Sequence, residues 1–153
     1  MANPSPIDDP YGLSRFLRAQ KDSYSEALAE IKRGRKESHW MWFIFPQFHG
    51  LGRSPTSTFY SIKSKEEARA YLEHPVLGKR LLECCDALLR SESKSASEIF
   101  GSPDDLKLHS SLSLFASVSA PGSVFSQVLE QYYDGKPDHQ TLELLQRSPA
   151  EGL

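Results

Sequence analysis

A chain of 153 residues is long enough to bury one sizeable core without disulfides or structural metal. With 39% hydrophobic and 25% charged residues, wholesale disorder is excluded. The formal charge of -2 leaves no overall field to hold a polyanion, which argues against nucleic acid as a partner.

The N-terminus, MANPSPIDDPYG, shows no basic start followed by an apolar run. The longest uninterrupted apolar stretch, Trp40 to Phe45, is far short of a membrane span, so a soluble cytoplasmic protein with no membrane partner is expected. Residues 1–10 carry three prolines and residues 148–153 lack periodicity; both read as tails flanking a single domain over 11–147. No internal repeat or low-complexity linker divides that span.

Leu13, Phe16, Leu17, Tyr24, Ala27, Leu28 and Ile31 lie on one helical stripe that Gly34 is placed to end. Gln20 falls on that apolar face and, once buried, needs hydrogen-bond partners. Ser38 can cap a short helix through HWMWFIF, which Pro46 stops. HGLGRSPTS is a loop, and the TFYSI after it is equally compatible with an extended segment or a helical turn.

Ser64 and Glu67 form a capping box that opens a helix to about Leu72, and Pro75 suits the start of another, with Leu77, Leu81, Cys85 and Leu88 along one side. Cys84 and Cys85 are adjacent, which makes poor disulfide geometry, and they read as buried structural thiols. Ser95 with Glu98 caps a short helix ending at Gly101, and Ser102-Pro103-Asp104-Asp105 supplies cap, proline and first-turn acids for the next.

From Leu106 to Val118 two periods compete. Leu106, Leu108, Leu112 and Leu114 alternate as in a strand, whereas the cap signature together with Phe115 and Val118 suits a helix apolar on several sides; a buried helix is expected. Val124, Phe125, Val128, Leu129, Tyr132 and Tyr133 mark a further helix that Gly135 closes, and Asp138 can cap a last one carrying Leu142 and Leu145. The expected fold is all-α, about seven or eight helices around a central buried one.

Three stretches hold candidate chemistry. In GRKESHWMWFIFPQ, Arg35 and Lys36 suit the negative end of the preceding helix, yet His39, Trp40 and Trp42 follow at once, placing cations beside flat rings and a titratable imidazole. Against this, a core plug is the simpler account of the tryptophans. In HGLGRS, glycines two apart precede Arg53 and Ser54, an arrangement that can aim backbone N–H groups at an anion but lacks a P-loop ending. In DDLKLHSS, Lys107 precedes Ser110 by three residues and Ser111 by four, so amine and hydroxyls share a helix face; either a Lys-activated Ser or back-bonding of Ser to the helix backbone accounts for them. The five histidines show no H-x-x-x-H spacing and the cysteines no C-x-x-C, so neither a metal site nor a cofactor is expected, although His39 and His49 could meet in space.

Taken together, GRKESHWMWFIFPQFHGLGRS, YSIKSKEEARAYLEHPVLGKRLLE and IFGSPDDLKLHSSLSLF closely resemble the uncharacterised family known as domain of unknown function 1810, from about Tyr11 to Leu145. The resemblance implies a compact all-helical domain with a central buried helix, and no known activity. The family pattern falls on Arg35, Lys36, His39, Trp40, Trp42, Gln47, Gly50, Gly52, Ser54, Tyr60, Asp104, Lys107, Ser110 and Ser111; Ser113 stands where the pattern has Thr, which keeps the hydroxyl. The label calpastatin attached to some members fits poorly, since such an inhibitor is a long disordered chain and this one is patterned to fold.

Two functions follow as expectations. One is a small-ligand-binding domain, or an enzyme, acting on an anionic nucleotide-like or ADP-ribose-like metabolite. Arg35, Lys36, Trp40, Trp42, Gln47, Arg53 and Ser54 would bind it, and Lys107, Ser110, Ser111 and His39 would be the catalytic candidates. The other is a protein-interaction module without a small-molecule site, which requires an exposed apolar patch around Trp42, Phe45 and Phe48.

Overall fold

Where the sequence offers one long amphipathic stripe before Gly34, the chain forms two helices. The computed structural model describes residues 9–92 and 95–147. Among them are α1 (Ser14–Gln20), α2 (Tyr24–Arg33), α3 (Met41–Ile44), α4 (Pro55–Phe59), α5 (Lys65–Glu73), α6 (Leu77–Arg90), α7 (Ala96–Phe100), α8 (Asp104–Ser117), α9 (Val124–Tyr133) and α10 (His139–Arg147). The fold is all-α; among the described residues the only extended pairing is a parallel bridge between Phe48 and Ile62. The expected tails lie outside the described residues except for Asp9 and Pro10. Asp9 accepts from the N–H groups of Leu13 and Ser14 at 2.7 and 3.1 Å and so caps α1.

Among the described residues ten helices stand where seven or eight were expected, because α1 and α2 dock on different partners, α1 on α3 and α2 on α6, and because Pro55–Phe59 is helical. The break falls just after Gln20, whose buried amide donates to the Phe43 carbonyl at 2.7 Å and the Tyr71 hydroxyl at 3.1 Å and accepts from Arg80 at 3.3 Å. A polar group on an apolar face thereby finds its partners and ties α1 to three other helices. On the same side, Arg15 bonds Glu67 at 2.6 Å and also donates to the carbonyls of Tyr11, Gly12, Phe59 and Ser61, stitching α1 to the 59–67 segment.

At the centre stands α8, packed against α3, α5, α7, α9 and α10. Its residues 110–115 are all buried, so no stripe separates an inner from an outer face, which is why strand and helix periods competed in the sequence. Leu106, expected inside, is 61% exposed in the first turn of α8. Small hydroxyls allow α10 to approach closely. Ser113 donates to the His109 carbonyl at 2.7 Å and accepts from the Asp138 N–H at 2.8 Å, while Thr141 bonds Ser110 at 3.2 Å.

The local caps divide in two. Ser64, Ser95, Ser54 and Ser123 each accept from a backbone N–H three residues on, as N-caps do, and Asp138 accepts from the Thr141 N–H. Ser38 caps nothing, and α8 begins at Pro103 rather than Ser102. The start of α6 is satisfied by His74, whose Nδ1 accepts from Val76 and Leu77 N–H. Cys84 and Cys85 are buried free thiols on α6, and burial pushes the Cys84 thiol up to about 12, out of reach of ordinary thiolate chemistry.

At Gly78 the backbone of α6 passes close to the end of α5. A Cβ on Gly78 would stand 2.0 Å from the Leu72 carbonyl oxygen, a backbone atom that cannot swing aside. Gly78→Ala is therefore expected to lower unfolding stability by about 1–3 kcal/mol in urea titration; an unchanged midpoint would show that α5 and α6 are free to separate.

Candidate functional site

The polar residues of the 30–40 segment are organised by one carboxylate. Gly34, in the left-handed conformation at φ 78°, ends α2 and turns the chain back over it. Glu30, only 1% exposed, then receives the Glu37 and Ser38 N–H groups at 2.7 and 2.9 Å, the Trp40 indole N–H at 2.9 Å and the Ser38 hydroxyl at 2.6 Å. Ser38 also hydrogen-bonds Glu26. Burial pushes the Glu30 carboxyl up, but the bonds from Ser38, the Glu37 N–H and the Trp40 indole outweigh it and hold the group at about 2. Ser38 is thus spent on Glu30 rather than on capping α3.

This bracing positions Lys36 and Trp40. The Lys36 N–H donates to the Ile99 carbonyl at 2.7 Å, pinning the segment to the end of α7. Its ammonium, on a side chain only 7% exposed, donates to the Ser38 carbonyl, lies 2.9 Å from an Asp104 carboxylate oxygen and stands 4.9 Å over the Trp40 ring. Trp40 is buried to 1% among Phe45 and Phe100, so it is the core plug of the sequence expectation and offers no face to a ligand.

Asp104, in the first turn of α8, is shared. Its second oxygen lies 3.5 Å from Lys107, whose ammonium is 5.1 Å from the Trp42 ring centroid. Trp42 is half-buried on α3, while its neighbours Met41, Phe43 and Ile44 are buried. Two ammonium groups, one bridging carboxylate and two indoles therefore meet at the junction of α3, α7 and α8. One helical turn beyond Lys107 on α8, Ser111 is buried to 1%, and its hydroxyl has no hydrogen-bond partner among the described residues. The Lys107–Ser111 pair of the sequence expectation is therefore not bonded.

The remaining predicted residues are placed otherwise. Arg35 and His39 are exposed, and neither is a partner of Lys36, Asp104 or Lys107. Ser110 is buried and bonded by Thr141, on the α10 side of α8. Ser54 is the N-cap of α4, and the Gln47 carbonyl accepts from the Ile62 N–H at 2.8 Å. Arg53 lines a groove of about 240 Å³ against α10 with Gln140, Glu143 and Arg147, and none of the Lys36 cluster lines it. The patch required by an aromatic interaction surface does not form, because Phe45 and Phe48 are 1% and 4% exposed. Asp104 was legible as a first-turn acid but not as the bridge between lysines, and Glu30 carried no signal beyond being a glutamate in an amphipathic helix.

No group of three or more His, Cys, Asp or Glu side chains that could hold a metal ion occurs among the described residues, and no helix among them is long and apolar enough to cross a membrane. Residues 10–145 match the model of a family described as protein of unknown function (DUF1810). The chain is similar to the conserved hypothetical protein Rv1873 from Mycobacterium tuberculosis, whose crystal structure was determined at 1.38 Å. The two share 48% identity at a TM-score of 0.88, and the match covers 90% of this chain and 99% of that one. No curated protein matches the chain.

Because the Glu30 carboxyl is held near 2 in the folded chain against an ordinary 4.5, its stabilisation is complete above about pH 4.5 and drains away as pH falls towards 2. The shift corresponds to about 3 kcal/mol. Melting temperature is expected to fall between pH 5 and pH 2, and Glu30→Gln to lower it at pH 7 and flatten that slope. A variant with the parent's acid profile would remove Glu30 as the cause.

Proposed function

We propose that this chain, which belongs to the DUF1810 family of proteins of unknown function, binds a small anionic metabolite bearing a flat ring, nucleotide-like or ADP-ribose-like, over Lys107, Trp42 and Asp104. The observation that carries this reading is the unequal sharing of Asp104. Lys36 holds one oxygen at 2.9 Å from a nearly buried side chain, whereas Lys107 holds the other at 3.5 Å from a side chain 25% exposed.

Lys36 is the fixed partner, braced by the Ser38 carbonyl and the Trp40 ring. Lys107 is the one that can exchange Asp104 for an incoming phosphate or carboxylate without leaving a buried charge unpaired. Moving off Trp42, it would uncover an indole face on which a planar ring can stack. The unpaired Ser111 hydroxyl, on the same face of α8, supports the reading further, because a buried polar group without a partner costs about 1–3 kcal/mol and a ligand atom or water could satisfy it.

Binding is favoured over catalysis. A serine nucleophile needs a base within hydrogen-bond reach, Ser111 has none among the described residues, and Ser110 is engaged by Thr141.

The test is a thermal-shift screen of nucleotides, ADP-ribose and smaller anionic metabolites. A ligand at a hundred times its Kd should stabilise the parent by about 2.7 kcal/mol. Lys107→Ala should abolish the shift while its own stability stays within about 1 kcal/mol of the parent, as expected for a partly exposed ion pair. A shift that survives in Lys107→Ala places the ligand elsewhere. Separately, Ser111→Ala should leave stability unchanged or raise it by about 1 kcal/mol in the absence of ligand; a clear loss would mean that the hydroxyl already has a partner.

A further inference from the structure

Three adjoining grooves border α6. The first, about 490 Å³, lies where α5 meets α6 and is lined by Leu72, Pro75, Gly78 and Leu82 with acidic residues above them. The second, about 370 Å³, lies between α2 and α6 and shares Glu83 and Asp86 with the first. A third, about 510 Å³, shares Lys32, Arg90 and Ser91 with the second. Sharing residues, the three grooves adjoin one another as an interrupted furrow beside α6, a 14-residue helix of roughly 20 Å at 1.5 Å per residue. That length suits a segment of polypeptide better than one metabolite.

Its charges are mixed in the middle, where Lys32 and Arg90 line the second groove with Glu83 and Asp86, and unequal towards the two ends. At the α5 end stand Glu73, Glu83 and Asp86 against Lys79. The last turn of α5 carries no basic residue, so the negative end of that helix adds to the same potential. At the far end stand Lys32, Arg33 and Arg90 against Glu92. Some of these charges have partners already: the Tyr24 hydroxyl donates to Glu83 at 2.7 Å, Arg90 pairs with Asp86 at 2.9 Å and Arg33 with Glu37 at 3.9 Å. Both ion pairs are i,i+4 contacts between exposed side chains, which solvent screens. Leu82, 46% exposed, lies in the furrow, and Val76, 37% exposed, adjoins its Pro75. These are two of only four large hydrophobic residues exposed to that degree among the described residues.

We propose that this furrow docks an amphipathic helical segment of a partner protein, with apolar residues over Leu82 and Leu72, lysines or arginines over Glu73 and Glu83, and acidic residues over Lys32 and Arg33. A uniformly basic peptide would be repelled at one end and a uniformly acidic one, like a nucleic-acid backbone, at the other.

The probes are two fluorescein-labelled 16-residue peptides of identical composition and identical leucine spacing, i, i+4, i+7 and i+11. In one the lysines and glutamates are segregated into opposite halves, and in the other they alternate. Fluorescence polarisation with the full chain should show the segregated peptide binding at least ten-fold more tightly than the alternating one. Leu82→Glu should abolish that binding, and Arg53→Ala, which lines none of the three grooves, should leave it unchanged. Leu82 is exposed, so its variant is expected to keep the parent's melting curve, and Glu83→Lys with Asp86→Lys serves as a second variant that reverses the charge of one end. Equal affinity for the two peptides, no binding of either, or binding indifferent to both variants overturns the proposal. So does a dimer in sedimentation that Leu82→Glu dissolves, for the occupant would then be a second copy of this chain.

Discussion

A single buried carboxylate, that of Glu30, governs the part of this fold where chemistry is concentrated. Two backbone N–H groups, a hydroxyl and an indole N–H converge on it, so the chain leaving α2 has one conformation available to it. Burying a charge is unfavourable unless its hydrogen-bonding capacity is filled, and here four donors fill it. The arrangement ties the geometry of Lys36 and Trp40 to a residue that touches neither the proposed ligand nor the helix carrying Lys107.

The second constraint is Asp104. By accepting from Lys36 on one oxygen and facing Lys107 with the other, it joins the 36–42 segment to the first turn of α8. The two contacts differ in kind. One is short and nearly buried, and it belongs to the architecture; the other is long and half-open, and it leaves an ammonium poised over an indole. A carboxylate that holds one cation firmly and another loosely can keep a fold intact while a ligand competes for the loose one, which separates stability from binding within a few ångströms.

Around α8 the same economy of polar groups recurs. Ser110 and Ser113 face α10 and are bonded, whereas Ser111, between them in the chain and turned toward the Lys107 side, is not. Small hydroxyl residues let helices approach more closely than leucines would, and the backbone or a neighbouring threonine satisfies them. Elsewhere, α6 buries Leu77, Leu81, Cys84, Cys85 and Leu88 and turns Lys79, Leu82, Glu83, Asp86 and Arg90 to solvent, so a second candidate surface is lined by residues other than the lysine cluster.

Hydrophobic period, capping residues and glycine stops were enough to name the all-α class, a buried helix within Leu106–Val118, the N-caps at Ser64 and Ser95 and the need of Gln20 for partners. These are short-range properties, written within one or two helical turns. They also placed Lys36, Trp42 and Lys107 among the candidates, since cations and rings at apolar helix positions are conspicuous in any chain. The break between α1 and α2, the role of Glu30, the bridging by Asp104 and the separation of Arg53 and Ser54 from the lysine cluster came from contacts between residues distant in the chain or from the path of a turn. A glutamate on a helix reads the same whether it faces water or four donors, because its surroundings are supplied by the rest of the fold and leave no mark on its own neighbours in sequence.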